Sequence, residues 1–573
     1  MKPYKTVQLT TSLPRLLTSL PLLATLLTIA LGVMAHAQDL YVGSNSSGDS
    51  TNFSSGTNSY GNTFIGYDSS ASNNLLTVDS PGTLLTNSGN LYVGYDGSSN
   101  SLVISNGAQV VNNECFIGSN TSSSNNSVLV SDGGTLWSNG LSLSIGNDGS
   151  FNSLVISNGG QTFVGAFATI GNNAASSNNS VVVTSNALWT TYYDLYIGHA
   201  GSSNSLEVSG GGTVTVLGDP WPDHYNGSVI GSASNSSNNS VVISGIGSTL
   251  NSPNLYVGDF GSSNSLTISN NAQVLVDGTT VIGNNTNSLN NSVVVSDAGT
   301  LWSNGGNLYL GNDGSSSNSL VISNGAQVLV AATTVLGNNA SSSNNSVVVS
   351  DTSTLLTNAG DFFVGLAGSS NSLVVSNGAQ VIVGNNTVIS HIDTSSNNSV
   401  VVTGGGSTLT TLGGLYVGSL GSSNNLNISN GAQVANVNGF IGNNVSASNN
   451  SVVVTDSGTL WTNAGDLYVG NLGSSNSLVI SNGAQVANIN GWIGNQSSSS
   501  NNSVVVSDSG TIWTNQGGVI VGHDGSSNSL VISNGAQVIA ATGAAIGNNP
   551  SSSNNMVVVT GAGSVLSLSL IHI

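Results

Sequence analysis

The 573-residue chain has 23 Asp and Glu but only three Lys and Arg, and Lys2, Lys5 and Arg15 all fall in the first fifteen positions. Beyond them stand 23 carboxylates against no Lys or Arg, a formal charge of −23 with His neutral. Such a chain cannot neutralise phosphates, which excludes nucleic-acid binding. It is an equally poor match for an anionic membrane surface, and Lys/Arg salt bridges cannot hold it together.

In chain order, the first element is an export signal over residues 1–37. Lys2, Lys5 and Arg15 form a basic region, Leu16 to Met34 an apolar stretch, and Ala35-His36-Ala37 an A-x-A cleavage site. No later stretch reaches 18 uninterrupted apolar residues, so no membrane insertion of the mature chain is expected. Cys115 is the single cysteine, which leaves no internal disulfide framework, and it reads as a small apolar residue at a strand start.

Residues 38–66 read as an N-terminal cap region and 67–566 as one tandem array. Leu91-Tyr92-Val93-Gly94 recurs at Leu195 to Gly198, Leu255 to Gly258, Leu415 to Gly418 and Leu467 to Gly470. Phe116-Ile117-Gly118, Phe440-Ile441-Gly442 and Trp492-Ile493-Gly494 sit between these copies. Two half-repeats therefore alternate, LYVG-x-x-GSSNSLVISNGAQV and FIGNN-x-SSSNNSVVVSDSGTLWTN. Each holds three short β-branched runs separated by Gly, Asn, Asp and Ser, the chemistry of turns. Three strands per roughly 26 residues, repeated throughout, predict an all-β fold: a right-handed parallel β-helix (β-solenoid) of about 20 coils. At about 4.8 Å per coil the rod is on the order of 95 Å long. Disorder is excluded because the apolar content, 38%, sits in strict strand patterns.

An Asn before each middle strand marks the period, as at Asn100, Asn126, Asn152, Asn264, Asn476 and Asn502. It is predicted to stack as a structural ladder, each amide bonding to the coils above and below. Leu102 and Ile104 have apolar counterparts throughout, whereas Val103 is matched by Glu207, Thr267 and Asn427, so Val103 faces water. By the same test Leu91 and Val93 point inward and Tyr92, matched by Ser144, points outward.

Candidate sites follow from what breaks or decorates the pattern. In the third strand Val110, Leu136, Leu301, Leu460 and Ile512 are assigned inward. The next column is assigned outward, and it includes Trp137, Phe163, Trp189, Trp302, Trp461 and Trp513. An outward apolar column is either a cover for the strand backbone or a lengthwise stripe for a glycan, a protein or a second copy of the rod. The step from Asn204 to Asn239 is 35 residues where other steps are 25 to 27, and the excess contains Asp219, Trp221, Asp223, His224 and Tyr225. It reads as a tolerated surface insertion or a recognition loop.

No cofactor and no metal are expected. Asp132, Asp297, Asp351, Asp456 and Asp508 form a column whose members are two coils apart, about 9.6 Å, whereas oxygens sharing one calcium lie within about 5 Å of each other. Asp96, Asp148, Asp313 and Asp524 are weaker calcium candidates. No catalytic residues are assigned: Glu occurs only at Glu114 and Glu207, and His199, His224, His391, His523 and His572 lie in different repeat contexts.

The YVG-x-x-GSSNSLVISNGAQV unit resembles the repetitive passenger regions of bacterial autotransporters and related secreted β-strand-repeat surface proteins. That resemblance implies a Gram-negative source, display at the outer membrane or secretion, and cell adhesion. The pattern departs from the family in that no translocator barrel, sorting signal or anchoring helix follows. Ser567 to Ile573 fit no coil and read as a truncation. The expected function is a non-catalytic adhesin or extracellular structural rod, with a host or environmental glycan or protein, or itself, as partner. The alternatives are a polysaccharide-degrading β-helix enzyme and a passive spacer.

The ladder makes a first prediction. Asn476→Ala leaves unpaired amides in the coils above and below, at about 1–3 kcal/mol each, whereas Val479→Thr on the solvent side stays within about 0.5 kcal/mol. Chemical denaturation of the two variants is expected to separate them clearly; equal losses would refute the inside/outside assignment.

Overall fold

The computed structural model describes residues 38–218 and 225–568. Residues 1–37, read from the sequence as an export signal, and most of the insertion lie outside the described residues. The described chain is all-β: three parallel sheets of twenty strands each, with every coil giving one strand to each sheet. The coil from Leu91 shows the plan, with strands Leu91–Val93, Ser101–Ile104 and Gln109–Asn112. Each pairs in parallel register with its counterpart in the next coil, as in Leu91↔Cys115, Leu102↔Val128 and Val110↔Trp137. The fold is thus a β-solenoid of about 20 coils. Residues 38–66, read as a cap, hold a complete coil with strands Leu40–Val42, Ser50–Phe53 and Thr57–Tyr60. At the other end Ser567 and Leu568, assigned to a tail, belong to the last strand, Val565–Leu568.

Turn chemistry follows the repeat. The chain leaves the first strand through Gly94 at φ +75° and enters the second through Ser99 at +58°. It leaves the second through Asn106 and Gly107, at +54° and +83°, or through Asp132 and Gly134, at +78° and +87°. Gly94 is required twice over, since a Cβ there would also lie 2.2 Å from the Asn126 amide of the next coil.

The Asn ladder is present and buried. Asn126 Oδ1 accepts both the backbone N–H and the Nδ2 of Asn100, at 2.9 and 3.1 Å. Asn126, Asn152, Asn264, Asn476 and Asn502 each donate the same pair to the next coil. The second amide hydrogen of Asn100 reaches back to Ala71 O at 3.2 Å, so one side chain ties three coils together. The ladder crosses the insertion unbroken, with Asn204 Nδ2 donating to Asn239 Oδ1 at 3.2 Å.

The third strand corrects the sequence-based assignment. Trp137, Trp189, Trp302, Trp461 and Trp513 are core residues, at most 1% exposed, while Leu136, Leu301, Leu460 and Ile512 stand half-exposed on the outer face. Phe163 does face outward. The reason is one residue in a turn. From the ladder Asn to the inward side chain is ten residues in Asn100–Val110 but eleven in Asn126–Trp137, because the Asp-type turn is one residue longer. A slip of one residue exchanges the two faces of a strand. For Trp189 the turn has the short form, and ten residues from Asn179 place it inward.

Core volume is balanced within each coil. Where the third strand carries Trp137, Trp189, Trp302, Trp461 or Trp513, the first inward position holds Cys115, Ala168, Thr280, Gly439 or Gly491. Where it holds Leu91 or Leu467, the third strand carries Val110 or Val486. A Cβ on Gly491 would lie 2.5 Å from the Trp513 ring, which shows that the indole occupies the space of the missing leucine. The indole nitrogens of Trp137, Trp461 and Trp513 donate to Asn112, Asn436 and Asn488 of the preceding coil at 2.7–3.0 Å. Opposite Trp189 and Trp302 the preceding coil has Val164 and Val276, and those two buried indoles have no partner.

This packing predicts strong coupling. Gly491→Leu is expected to clash, and Trp513→Val to leave a cavity worth about 3–5 kcal/mol. The double variant rebuilds the Leu467/Val486 combination and is expected to recover most of the loss. A double-mutant cycle by urea denaturation that returns additive losses would refute the exchange.

Candidate functional site

The outward column of the first sheet is the main aromatic surface of the rod. In register order it runs Tyr41, Phe64, Tyr92 and Phe116, then Ser144 and Thr169, then Tyr196. A second aromatic run follows at Tyr416, Phe440, Tyr468 and Trp492. Parallel pairing places these side chains directly above one another, so the rings stack. Centroids lie 4.8–5.4 Å apart from Tyr41 to Phe116, at interplanar angles of 2–12°. From Tyr416 to Trp492 they lie 4.8–6.0 Å apart at 3–8°. Tyr67 and Tyr95 pack edge-on against the first run, at 5.1 and 5.3 Å. Each such contact adds about 0.5–1.5 kcal/mol beyond area burial.

At Ser144 and Thr169 two rungs of this column are missing. There the surface opens into a groove of about 380 Å³ spanning four coils. Its floor is Ser144 and Thr169, and Phe116 and Tyr196 bound it along the rod axis. One wall is Glu114, Ser142 and Phe167, the residues just before the first strands; the other is Asn172 and His199, just after the glycines that end them. Phe167 packs against Tyr193 at 5.2 Å and Tyr196 at 6.5 Å. Glu114 Oε2 accepts Asn90 Nδ2 at 3.2 Å. Asn172 Nδ2 donates to Asn147 Oδ1 at 2.8 Å, which leaves its Oδ1 to accept His199 Nδ1 at 3.2 Å. Desolvation holds the His199 imidazole below its ordinary pKa, hence neutral at pH 7 with Nε2 free to accept.

Beside the groove lies a network built on two buried carboxylates. Asp194 and Asp259 are buried, at 0% and 1% exposure. Tyr196 Oη donates to Asp194 Oδ2 at 3.0 Å, and the Gly227 N–H to Asp194 Oδ1 at 2.8 Å. Tyr225 Oη donates to Asp259 Oδ2, while the amides of Asn284 and Asn285 donate to its Oδ1 at 2.6 and 2.9 Å. Burial pushes the Tyr196 and Tyr225 hydroxyls and the Asp259 carboxyl all upward.

The other sequence-derived candidates fall as follows. The Trp stripe is interior, so it offers no contact surface. Of the insertion, Asp219, Trp221, Asp223 and His224 lie outside the described residues; Tyr225 anchors its exit, with its ring 6.1 Å from Tyr196 and 5.2 Å from Tyr256. Asp132, Asp297, Asp351, Asp456 and Asp508 take φ near +77° and accept backbone N–H groups of the preceding coil, at 3.1–3.3 Å. Asp96, Asp148 and Asp313 accept Asn amides of the next coil at 2.8–3.0 Å. Cys115 is fully buried, and burial drives its thiol pKa up, away from reactivity. Among the described residues no cluster of three or more His, Cys, Asp or Glu is arranged to hold a metal. The groove escaped sequence reading because its residues come from three columns and four coils. The available signal was the pairing of small Ser144 and Thr169 in an aromatic column with Phe167 in a polar one.

No protein-family model matches the chain, and no curated protein matches it.

The buried network carries a signed prediction. Asp259 has a raised folded-state pKa, so its charged form is disfavoured by folding, and its contribution to stability improves as pH falls through that raised value. Asp259→Asn keeps the acceptor without the buried charge and is expected to raise Tm at pH 7, the gap closing on acidification. Tyr225→Phe removes a donor and is expected to lower stability by about 1–3 kcal/mol. Thermal melts across pH check both, and a gap that widens in acid would refute the assignment.

Proposed function

We propose that this protein is an exported, non-catalytic rod that works outside the cell or on its surface as an adhesin or extracellular structural element. The observation that carries this reading is axial continuity. Twenty coils run in parallel register from Leu40 to Leu568, and the Asn ladder bridges even the Asn204–Asn239 step. Such a body holds surface features at set distances along a line. A chain devoid of Lys and Arg after Arg15 suits uncharged partners better than polyanions. The N-terminal signal pattern supports export, and the repeat's resemblance to autotransporter passengers supports surface display on a Gram-negative cell. The partner is a host or environmental glycan or protein, or a second copy. No helix among the described residues is long and apolar enough to cross a membrane.

Residues 38–573, purified and coupled to beads, test the reading. The beads are expected to attach to cells, to glycan-coated surfaces or to one another above an uncoated control, and to release no reducing ends from neutral polysaccharides. Absence of all three attachments would replace adhesion by a passive spacer. Sugar release would replace both by an enzyme.

A further inference from the structure

We propose that the groove between Phe116 and Tyr196 binds a short uncharged oligosaccharide, two or three pyranose rings long. The argument starts from ring faces. Within each aromatic run a ring is covered on both sides by its neighbours, so mainly edges reach solvent. Phe116 ends its run: Tyr92 stacks on one face at 5.4 Å, and the register neighbour on the other side is Ser144. Tyr196 stands three strand spacings further on, about 14 Å away, with its hydroxyl tied to Asp194. The two missing rungs thus create a gap two rungs long whose near end is an aromatic face, and its volume of about 380 Å³ lies in the usual range of small-molecule sites, about 300–1,000 Å³.

The lining sets the ligand class. A pyranose ring has apolar C–H faces and a rim of hydroxyls. Phe116 and Phe167 meet the first; Ser142, Asn172 and the neutral His199 meet the second, since hydroxyls both donate and accept. An anionic sugar is disfavoured because no Lys or Arg follows Arg15 and the remaining chain carries 23 carboxylates. A cationic sugar gains long-range attraction from the acidic chain but finds a single lining carboxylate, Glu114, with no second acid to clamp an ammonium, whereas the other polar lining groups match hydroxyls. Phe167 supports a built site: it replaces a small polar residue in the very coil where Thr169 replaces the aromatic rung, so the ring moves from rung to wall.

This inference deepens the adhesive reading, and it fails separately from it. The test is calorimetric titration of residues 38–573 with cellotetraose, maltotetraose and N-acetylchitotetraose, with tetragalacturonate and deacetylated chitotetraose as charged controls. At least one neutral tetrasaccharide is expected to bind, and both charged controls about tenfold more weakly or not at all. Ser144→Tyr restores a rung on Phe116, fills the gap and is expected to abolish binding without loss of Tm. Phe116→Val uses a residue the column already accepts at Val229 and removes the aromatic face; it is expected to weaken binding at least about tenfold. Circular dichroism confirms that each variant is folded, and if one is not, the other decides. Failure of all neutral sugars to bind, preference for a charged control, or undiminished binding by the folded variants would overturn the proposal. Bead attachment that survives Ser144→Tyr would sink the groove as the adhesive element and leave the adhesive rod standing.

Discussion

The structure depends on one buried hydrogen-bond motif, in which an asparagine carbonyl accepts two N–H groups from the asparagine one coil earlier. Buried polar groups left without partners are costly, so every coil must deliver an Asn to the same point at the same height. The 25–27-residue period follows from that requirement. So does the glycine that ends every first strand but one, since the Asn of the next coil occupies the space where a Cβ would stand; Ser390 holds that place once, at φ +68°. Inserted residues are tolerated only where they leave the column intact, as between Asn204 and Asn239. In a chain without Lys or Arg beyond residue 15, this motif and the amide-to-carboxylate contacts take the place that ion pairs hold elsewhere.

Around that axis, side-chain volume is balanced coil by coil. A Trp in the third strand coincides with Cys, Ala, Thr or Gly in the first, and a Leu in the first with Val in the third, or with Thr162 in the coil of Leu143. Close packing makes either mismatch expensive, as a cavity or as a clash. Because the exchange is closed within a coil, the two half-repeats can alternate without disturbing the sheets. The unpartnered indoles of Trp189 and Trp302 mark the coils where Val stands opposite in place of Asn.

Much of this was legible from residues alone. Period, strand count, turn chemistry, the ladder and the faces of the first two strands follow from comparing repeats within the chain, because a column that accepts Glu207 or Asn427 must face water. The third strand is the exception, since counting from Asn126 in step with Asn100 ignores the extra residue of the Asp-type turn and exchanges Leu136 with Trp137. The Cys115–Trp137 and Gly491–Trp513 pairings carried the correct answer in volume rather than in hydropathy. The groove was illegible for a different reason: it is defined by side chains that are absent from a column, and only the register between coils shows where their neighbours stand.

The ladder also gives the rod a direction. Each ladder Asn directs its Oδ1 toward the preceding coil and one Nδ2–H toward the following one, while the other Nδ2–H turns back, as from Asn100 to Ala71, so the Asn-to-Asn contacts all run in one sense along the long axis. Parallel sheets contribute little net dipole of their own, and each hydrogen bond in such a chain polarises the next. The result is a permanent electrical polarity that does not depend on ionisation, with its positive pole toward the C-terminal coils, opposite in sense to that of an α-helix. The two ends of the rod are therefore electrostatically inequivalent even though its surfaces repeat.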